Sequence, residues 1–309
     1  MTSTWLIVGC GYTGTQLARA LVARPELAAG VTITRRDREV ARALGAALGA
    51  RGERVDLAEL AGLTPPGDPA YPSDPPPSPH PGSLDVPPGA IVVCLAPPGD
   101  DPAGEIRALL AMARDAARIV YVSSTGVYGP GRGAWVDEAW PIAPFTASGR
   151  ARAAAEAALA GAMVPWVALR AAGIYGPGRG LVDRIRAGTY RVIGDGTSHV
   201  GRIHVVDLVA AIVRAGTAEI TGPINAADDD PAPIGEVADA VAARLGVPPP
   251  PRVPAAAVSP EIAGMLTADR RIANRRLRHE LGVVLRYPSW RDALDAELAP
   301  GRPAPSGSG

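Results

Sequence analysis

The chain of 309 residues carries equal numbers of acidic and basic side chains, so its formal net charge is zero. We expect no nucleic-acid partner, because such a partner calls for a basic surface. Hydrophobic residues make up 47% and charged residues 20% of the sequence, a composition typical of globular proteins. The sequence contains no lysine, which excludes any mechanism that needs a lysine amine.

Neither secretion nor membrane insertion is expected. No apolar run is long enough to span a bilayer, and MTSTWLIVGCG leads into a strand rather than forming a secretory signal. Cys10 and Cys94 lie in or beside apolar strand-like runs, which favours free buried thiols and a reducing compartment. We therefore expect a soluble, cytoplasmic protein without a metal site.

The first part of the chain alternates short apolar runs with runs rich in Ala, Leu and Arg. This alternation is typical of a parallel α/β sheet. Strands are predicted over residues 4–9, 31–34, 53–57, 90–96, 118–124 and 166–172. Helices are predicted over residues 14–23, 38–48, 105–116 and 146–161. The order predicts an α/β fold with a Rossmann-type doubly wound parallel sheet.

Residues 64–89 interrupt this order with a proline-dense segment that cannot form a regular helix. It is either a tolerated surface insertion or a docking segment for a proline-recognising partner. After residue 172, one short strand is predicted over 222–227 and helices over 205–216, 235–245 and 290–298.

Three parts of the chain follow from this pattern. We predict a nucleotide-binding domain over 1–172 and a mainly substrate-binding domain over 173–299 that returns in part to the first core. Residues 300–309, rich in Pro, Gly and Ser, are predicted to be a disordered tail.

The first predicted strand runs into GCGYTG, which opens a helix. Gly9, Gly11 and Gly14 thus form G-x-G-x-x-G in a strand–turn–helix context. The first glycine permits a tight turn, the second lets a pyrophosphate approach the backbone, and the third lets helix and strand pack closely. Amides of the first helical turn, which holds Tyr12 and Thr13, then face the phosphates. The pattern predicts dinucleotide binding.

The end of the second strand distinguishes NADP from NAD. An acid about twenty positions beyond the glycines would bind the ribose 2′-hydroxyl of NAD. The chain has Thr34, Arg35 and Arg36 there, with Asp37 one position late. Two guanidinium groups suit a 2′-phosphate, and the alternative is a solvated arginine pair at a helix start, where positive charge is unfavourable. We predict NADP, with NAD as the less favoured cofactor.

Five further motifs follow in chain order: YVSSTGVYGP (121–130), LRAAGIYGPGRG (169–180), RIHVVDL (202–208), INAADDDP (224–231) and LRYPSW (285–290). Together with GCGYTG, their order resembles the extended short-chain dehydrogenase/reductase superfamily, the NAD(P)-dependent epimerase/dehydratase group. The glycine spacing and CLAPP (94–98) resemble the atypical branch of this superfamily. The resemblance covers nearly the whole chain.

The resemblance implies cofactor contacts on the third and fourth strands. Asp56 and Leu57 match the pair that contacts adenine in the superfamily. Leu95, Ala96 and Pro97 match the strand end that lies along the cofactor.

Further roles are implied for the later motifs. Ser124 matches the catalytic Ser/Thr that hydrogen-bonds the substrate, although a hydroxyl satisfied within a strand-end turn is the alternative. Tyr175 opens the YGP loop that matches the region beside the nicotinamide and the substrate. His204 and Asp207 match a substrate-domain motif, in which a capping or packing histidine is the alternative.

The superfamily's proton donor is a tyrosine followed four positions later by a lysine, with a glutamate four residues beyond. Counting back from Glu156 puts Arg152 at the lysine position, and puts Ser148 and Gly149 at the tyrosine and the glycine after it. Arginine can replace the charge and hydrogen bonds of lysine. A serine hydroxyl is a far weaker acid than a phenol, whose pKa is about 10. Either Ser148 positions a water or Tyr128 replaces the donor.

Three functions are compatible with this reading. The first is an NADP-dependent oxidoreductase of the atypical short-chain type, acting on a small or carbohydrate-like molecule. The second is a non-catalytic NADP-binding sensor or partner-binding protein, which the replaced pair and the proline-dense segment favour. The third, an epimerase or dehydratase, ranks below the first because such enzymes need the tyrosine as a base. The resemblance also leaves a homodimer open.

Overall fold

The structure is a computed structural model that describes residues 2–63 and 84–298. Most of the proline-dense segment predicted over 64–89, and the tail predicted over 300–309, lie outside the described residues. Ten α-helices occur in the described part: α1 (Tyr12–Val22), α2 (Arg38–Leu48), α3 (Leu57–Leu63), α4 (Pro102–Met112), α5 (Ala147–Leu159), α6 (Leu181–Arg186), α7 (Val205–Thr217), α8 (Ile234–Leu245), α9 (Pro260–Thr267) and α10 (Trp290–Leu298).

The strands of the described residues are β1 (Ser3–Val8), β2 (Ala28–Arg35), β3 (Arg51–Arg54), β4 (Ile91–Cys94), β5 (Arg118–Ser124), β6 (Trp135–Val136), β7 (Trp166–Ala171), β8 (Gly173–Tyr175), β9 (Val192–Ile193), β10 (His199–Val200), β11 (Arg202–His204), β12 (Gly222–Ala226), β13 (Ala232–Pro233), β14 (Arg252–Val253) and β15 (Arg271–Ile272). Seven of them form one sheet in the order β12-β7-β5-β4-β1-β2-β3, and β1 pairs in parallel with both β2 and β4. The predicted α/β fold with a Rossmann-type sheet is confirmed.

The strongest local signals give the most accurate boundaries. The Asp37 side chain accepts a hydrogen bond from the Val40 amide at the start of α2, and Gly49 ends the helix with a left-handed backbone. As a result, α2 coincides with the predicted helix over 38–48. In the same way, β5 coincides with the predicted strand over 118–124, whose apolar side chains are buried.

The third predicted strand, over 53–57, is wrong at its C-terminal end. Strand β3 stops at Arg54, and Asp56 accepts a hydrogen bond from the Ala58 amide in the first turn of α3. A local aspartate hydrogen bond of this kind competes with a continued strand ladder. Beyond residue 172 only one strand is predicted. The described residues there also form β8 to β11 and β13 to β15, each of which has only two or three residues.

The chain forms two compact units that interleave along the sequence. Over the described residues, the first unit comprises segments within Met1–Ser123, Ala151–Leu169 and Ile212–Pro223, and the second comprises the segments between and after them. The first has a core that includes Leu6, Val92 and Leu109. The second has its own core, built largely from α6, α8 and α10. The predicted assignment of one part to substrate binding stays a prediction.

Over residues 2–63 and 84–298, none of the helices combines the length and the apolar character that crossing a bilayer requires.

Candidate functional site

The turn between β1 and α1 packs the motif glycines against the end of β4. Gly9 has a φ of +78°, and a Cβ there would stand 2.6 Å from the amide nitrogen of Ala96. A Cβ at Gly14 would meet Cys10 Sγ and Leu95 Cδ1, both at 3.2 Å. The first unit therefore has the tight turn and the close helix–strand packing that the glycine pattern predicts.

The start of α1 fits an anionic ligand. Among the described residues other than Gly11 and its two chain neighbours, no heavy atom lies within 4 Å of a Cβ built at Gly11. Gly11 occupies the N-cap position, where it supplies no side-chain hydrogen bond, and the first turn, with Tyr12 and Thr13, holds no acidic residue. Helix N-terminal amides and the positive end of the helix dipole favour phosphate binding. These residues thus fit the pyrophosphate of a dinucleotide.

The end of β2 is tied to the glycine turn. Thr34 is fully buried and its Oγ1 accepts a hydrogen bond from the Gly9 amide at 3.2 Å. Its carbonyl accepts from the Cys10 amide at 2.9 Å. The guanidinium of Arg35 donates to the Cys10 carbonyl at 2.9 Å. Arg35 thus belongs to the wall of the glycine turn and helps to fix its shape.

Arg36 and Asp37 differ sharply in what they can offer a ligand. The Asp37 carboxylate is the N-cap of α2, where it accepts from the Val40 amide at 2.8 Å. Arg36 precedes it and is exposed. The acid that directly follows β2 in sequence therefore uses one oxygen to cap α2, while the cation before it is exposed to solvent. This arrangement suits a 2′-phosphate better than a 2′-hydroxyl.

The other predicted cofactor residues of the first unit lie on β4 and α3. The Leu95 amide donates to the Val8 carbonyl at 2.8 Å, which keeps it in line with β1 after β4 has ended. Pro97, after Ala96, is exposed. Leu57 is 7% exposed and packs into the first core. The structure therefore brings Leu95 and Ala96 to the glycine turn, while the roles of Asp56, Leu57 and Pro97 stay predictions.

Both cysteines are free and buried, as predicted. Burial raises the pKa of the Cys10 thiol. It also raises the pKa of Cys94, to about 11. Neither thiol is therefore ionised near neutral pH, and neither offers a nucleophile.

Ser124 closes β5 and caps a short 3₁₀ turn, Thr125–Val127. Its Oγ accepts a hydrogen bond from the Gly126 amide at 3.0 Å. The alternative role, a hydroxyl satisfied within a strand-end turn, therefore has a structural basis. A serine hydroxyl that accepts one hydrogen bond still has its own proton to donate, so the predicted substrate contact is chemically compatible with this turn.

Tyr128 lies inside the second unit, where its side chain is fully buried. Its hydroxyl donates to Asn225 Oδ1 at 2.7 Å and accepts from Arg170 Nη1 at 2.8 Å. The backbone N–H of Asn225 donates to the Glu138 carboxylate at 2.7 Å. This geometry favours a role in packing. The hypothesis that Tyr128 is the proton donor stays a prediction, and these contacts weigh against it.

Ser148, at the predicted tyrosine position, is bound to a carboxylate of the second unit. Its hydroxyl and its amide both donate to Glu261, and the Ala147 amide donates to the same carboxylate at 2.9 Å. The hydrogen bond from the Ser148 hydroxyl is the main cause that lowers the pKa of Glu261. A carboxylate therefore caps the N-terminus of α5. Sequence reasoning missed Glu261, which lies 113 residues away and has no local signal.

Arg152, at the predicted lysine position, contacts β5 within the first unit. Its Nη1 donates to the Val122 carbonyl at 2.7 Å and to the Tyr121 hydroxyl at 3.1 Å. Burial raises the pKa of Tyr121, although the Arg152 charge opposes this effect. One turn further along α5, Glu156 accepts a hydrogen bond from Ser123 Oγ. Tyr121 is thus a neutral buried phenol and not a ready acid.

Tyr175, His204 and Asp207 lie together in the second unit. The rings of Tyr175 and His204 meet edge to face, with centroids 5.2 Å apart. His204 Nδ1 accepts from the Val206 amide, and the Asp207 carboxylate accepts from the amides of Arg286 and Tyr287. These contacts give His204 a capping and packing role, the alternative raised by the sequence.

Within the part of the chain that the structure describes, no group of three or more His, Cys, Asp or Glu side chains could hold a metal ion.

Comparisons with known proteins point to a family and a fold. The family model described as "NAD dependent epimerase/dehydratase family" matches residues 101–227. A 3-diazoavenalumate denitrifying reductase from Streptomyces sp is 39% identical over 119 residues, but the match spans only 37% of this chain and 39% of that relative.

Two solved structures match over nearly their whole length. A functionally unknown conserved protein from Silicibacter pomeroyi DSS is 30% identical, with 96% of this chain and 98% of that chain covered and a TM-score of 0.74. A human epimerase family protein, solved with NADPH, is 22% identical, with 95% and 98% covered and a TM-score of 0.69. The second likeness concerns the fold alone.

Proposed function

Because the chain belongs to the NAD-dependent epimerase/dehydratase family of the short-chain dehydrogenase/reductase superfamily, we propose that it is an NADP-dependent oxidoreductase. Its substrate is a small or carbohydrate-like molecule. When bound, the nicotinamide supplies or accepts a hydride. The observation that carries the proposal is the glycine turn of the first unit, in which Gly11 leaves open space at the uncapped start of α1.

The preference for NADP rests on the residues after β2. Arg36 is exposed, so the segment offers a 2′-phosphate a cation, while Asp37 already uses Oδ1 as a helix cap. Arg35 adds positive charge beside the glycine turn. The human relative solved with NADPH is in keeping with this choice.

The proposal gives each candidate catalytic side chain a limited role. Ser124 donates a hydrogen bond to a substrate oxygen, and Arg152 holds a ribose hydroxyl in place of the superfamily lysine. Ser148 positions a water and does not donate a proton itself, because its hydroxyl already donates to the Glu261 carboxylate. The reductase name of the Streptomyces relative supports hydride transfer over epimerisation.

A second function is favoured by the state of the hydroxyl groups. The Ser148 hydroxyl is bound by Glu261, and the Tyr128 hydroxyl is bound by Asn225 and Arg170. The absence of a free hydroxyl at these two candidate positions suits a non-catalytic NADP-binding sensor or partner-binding protein. Retained epimerase or dehydratase activity ranks below both, since it needs the tyrosine base.

Cofactor preference is tested by thermal shift with NADPH and NADH. A ligand that binds the native state raises the melting temperature, so we expect NADPH to stabilise more than NADH. Arg36→Ala removes a charge-assisted contact, which should weaken NADPH binding about 10- to 100-fold and leave NADH unchanged. Arg42→Ala, an exposed arginine on α2, is the matched control. Equal shifts for both cofactors in the unmodified chain would rule out the NADP assignment.

An assay of NADPH oxidation distinguishes the oxidoreductase from the non-catalytic sensor. Loss of NADPH absorbance with a panel of carbonyl compounds and nucleotide sugars supports the oxidoreductase. Strong stabilisation by NADPH with no oxidation by any compound of the panel supports the sensor.

A further inference from the structure

Four side chains in the described part of the second unit have buried polar atoms without a hydrogen-bond partner; one is Trp290, and the other three are Tyr175, Arg202 and Asp228. Among the described residues, no group hydrogen-bonds to the Tyr175 hydroxyl or to Arg202 Nη2. The Asp228 carboxylate makes no well-formed hydrogen bond either, although the nearby Asp230 backbone N–H lowers its pKa. Arg202 is 7% exposed and Asp228 is 2% exposed. Buried polar groups are almost always hydrogen-bonded, and a buried charge without a partner is costly. This cluster therefore calls for a further partner.

The short strands bring the three side chains to one place. In the parallel pair β8–β11, Tyr175 lies opposite His204, and Arg202 is two residues before His204 on the same face. The Asp228 amide donates to the Arg202 carbonyl at 2.7 Å. Tyr175, Arg202 and Asp228 are thus neighbours through the backbone pairing, independently of their side-chain conformations.

Charges within the cluster act on one another. Burial raises the pKa of Asp228 and lowers that of Arg202, and the opposite charge of each offsets part of the effect. Burial also raises the pKa of Tyr175, and the Asp228 charge adds to it. Arg202 Nη1 donates to the Val200 carbonyl at 2.7 Å, so the guanidinium is held from one side while Nη2 points elsewhere.

The chemistry of the unpaired atoms selects the partner. Arg202 Nη2 only donates, the carboxylate of Asp228 accepts when ionised, and the Tyr175 hydroxyl does both. A cation would be repelled by the guanidinium, and an anion by the carboxylate. A water molecule accepts from the arginine and donates to the aspartate, and buried waters typically make about three such bonds.

We propose that Tyr175, Arg202 and Asp228 form a binding site for ordered internal water, which bridges β8, β11 and the segment after β12. The water supplies the hydrogen bonds that the three side chains do not make to one another. It also holds the phenol that opens the YGP loop. The proposal does not depend on the proposed reaction, because its tests use the full chain without cofactor.

The direction in which Tyr175→Phe changes the melting temperature tests the proposal. Tyr175→Phe removes only the hydroxyl. If that hydroxyl is bonded to water, its loss should lower the melting temperature by about 1–4 °C. If it has no partner, its removal relieves an unsatisfied polar group, and an unchanged or higher melting temperature overturns the proposal. Tyr128→Phe, whose hydroxyl has protein partners, is the matched control and should also lower the melting temperature.

A crystal structure of the full chain provides a second, independent test of the water site. Water density within hydrogen-bond distance of at least two of the three groups supports the proposal. A dry cluster, in which Arg202 pairs directly with Asp228, overturns it.

Discussion

Replacing Gly9 by alanine should damage the fold, whereas the same change at Gly11 should damage only cofactor binding. The two positions are two residues apart in one turn of the first unit. Gly9 has a φ of +78° and faces the backbone of Ala96, while a Cβ at Gly11 meets no atom within 4 Å among the described residues beyond its own chain neighbours. The pair therefore separates a requirement of the turn from a requirement of the ligand.

The cost at Gly9 has two parts. A left-handed backbone costs an alanine roughly 1–2 kcal/mol. The new Cβ would stand 2.6 Å from the Ala96 nitrogen and 2.7 Å from its Cα, so backbone must move, and overpacking of this kind costs roughly 1–3 kcal/mol. Together they predict a loss of about 2–5 kcal/mol in the free energy of unfolding, or roughly 3–8 °C in melting temperature for a chain of this length.

At Gly11 the expected pattern is reversed. Alanine is a poorer N-cap than glycine, at a cost of no more than about 1 kcal/mol. Its methyl group would occupy the space through which a pyrophosphate reaches the backbone, so stabilisation by NADPH should be lost.

Thermal unfolding of each variant with and without NADPH measures both effects. The reasoning is refuted if Gly9→Ala melts at the same temperature as the unmodified chain, or if NADPH stabilises Gly11→Ala as much as it stabilises the unmodified chain.

Three more predictions follow from the hydrogen bonds and pKa directions. Because hydrogen bonding to Ser148 lowers the pKa of Glu261, the ionised carboxylate stabilises the folded state at neutral pH, and this contribution disappears as the pH falls through the folded pKa. Glu261→Gln should therefore lower the melting temperature at pH 7, and the difference from the unmodified chain should shrink as the pH falls below the ordinary glutamate pKa of about 4.3 towards the lower folded pKa; a constant difference across this range would contradict the charge argument. Cys94, with its pKa near 11, should resist alkylation at pH 8 until the protein is unfolded in denaturant, and fast labelling of the native chain would show that its burial is overstated. Arg152→Lys should retain NADPH affinity, while Arg152→Met should weaken it by about tenfold, as measured by titration; equal affinities for the two variants would remove Arg152 from the cofactor site.

Local signals explain how much of the fold the sequence could predict. Asp37 and Gly49 mark both ends of α2, and a fully apolar run marks β5, so these elements were predicted with correct boundaries. The strands of the second unit have two or three residues, which is too short for any periodicity to register. The end of β3 was missed because the aspartate hydrogen bond at Ala58 is invisible in an apolar pattern.

The residues of the candidate site also differ in how much the local sequence reveals about them. The spacing of the glycines in GCGYTG predicts the turn itself, whereas its contacts with Ala96 on one side and with Thr34 and Arg35 on the other come from distant parts of the sequence. The partners of Tyr128, Asn225 and Arg170, lie 97 and 42 residues from it, and Glu261 lies 113 residues from Ser148. Their identity depends on tertiary packing, which no local pattern encodes, and this is why a role for Tyr128 as a proton donor could be entertained from sequence and is disfavoured by its contacts.

The interleaving of the two units determines how the chain can be divided. A fragment that ends at residue 172 would lose Ile212–Pro223, which belongs to the first unit. Within that segment, Gly216 lies so close to Trp5 that a Cβ there would stand 2.5 Å from the indole. Without it, a fully buried tryptophan of β1 would become exposed to water. The nucleotide-binding half is therefore not a separable module, and synthesis must proceed past residue 223 before its hydrophobic core can close.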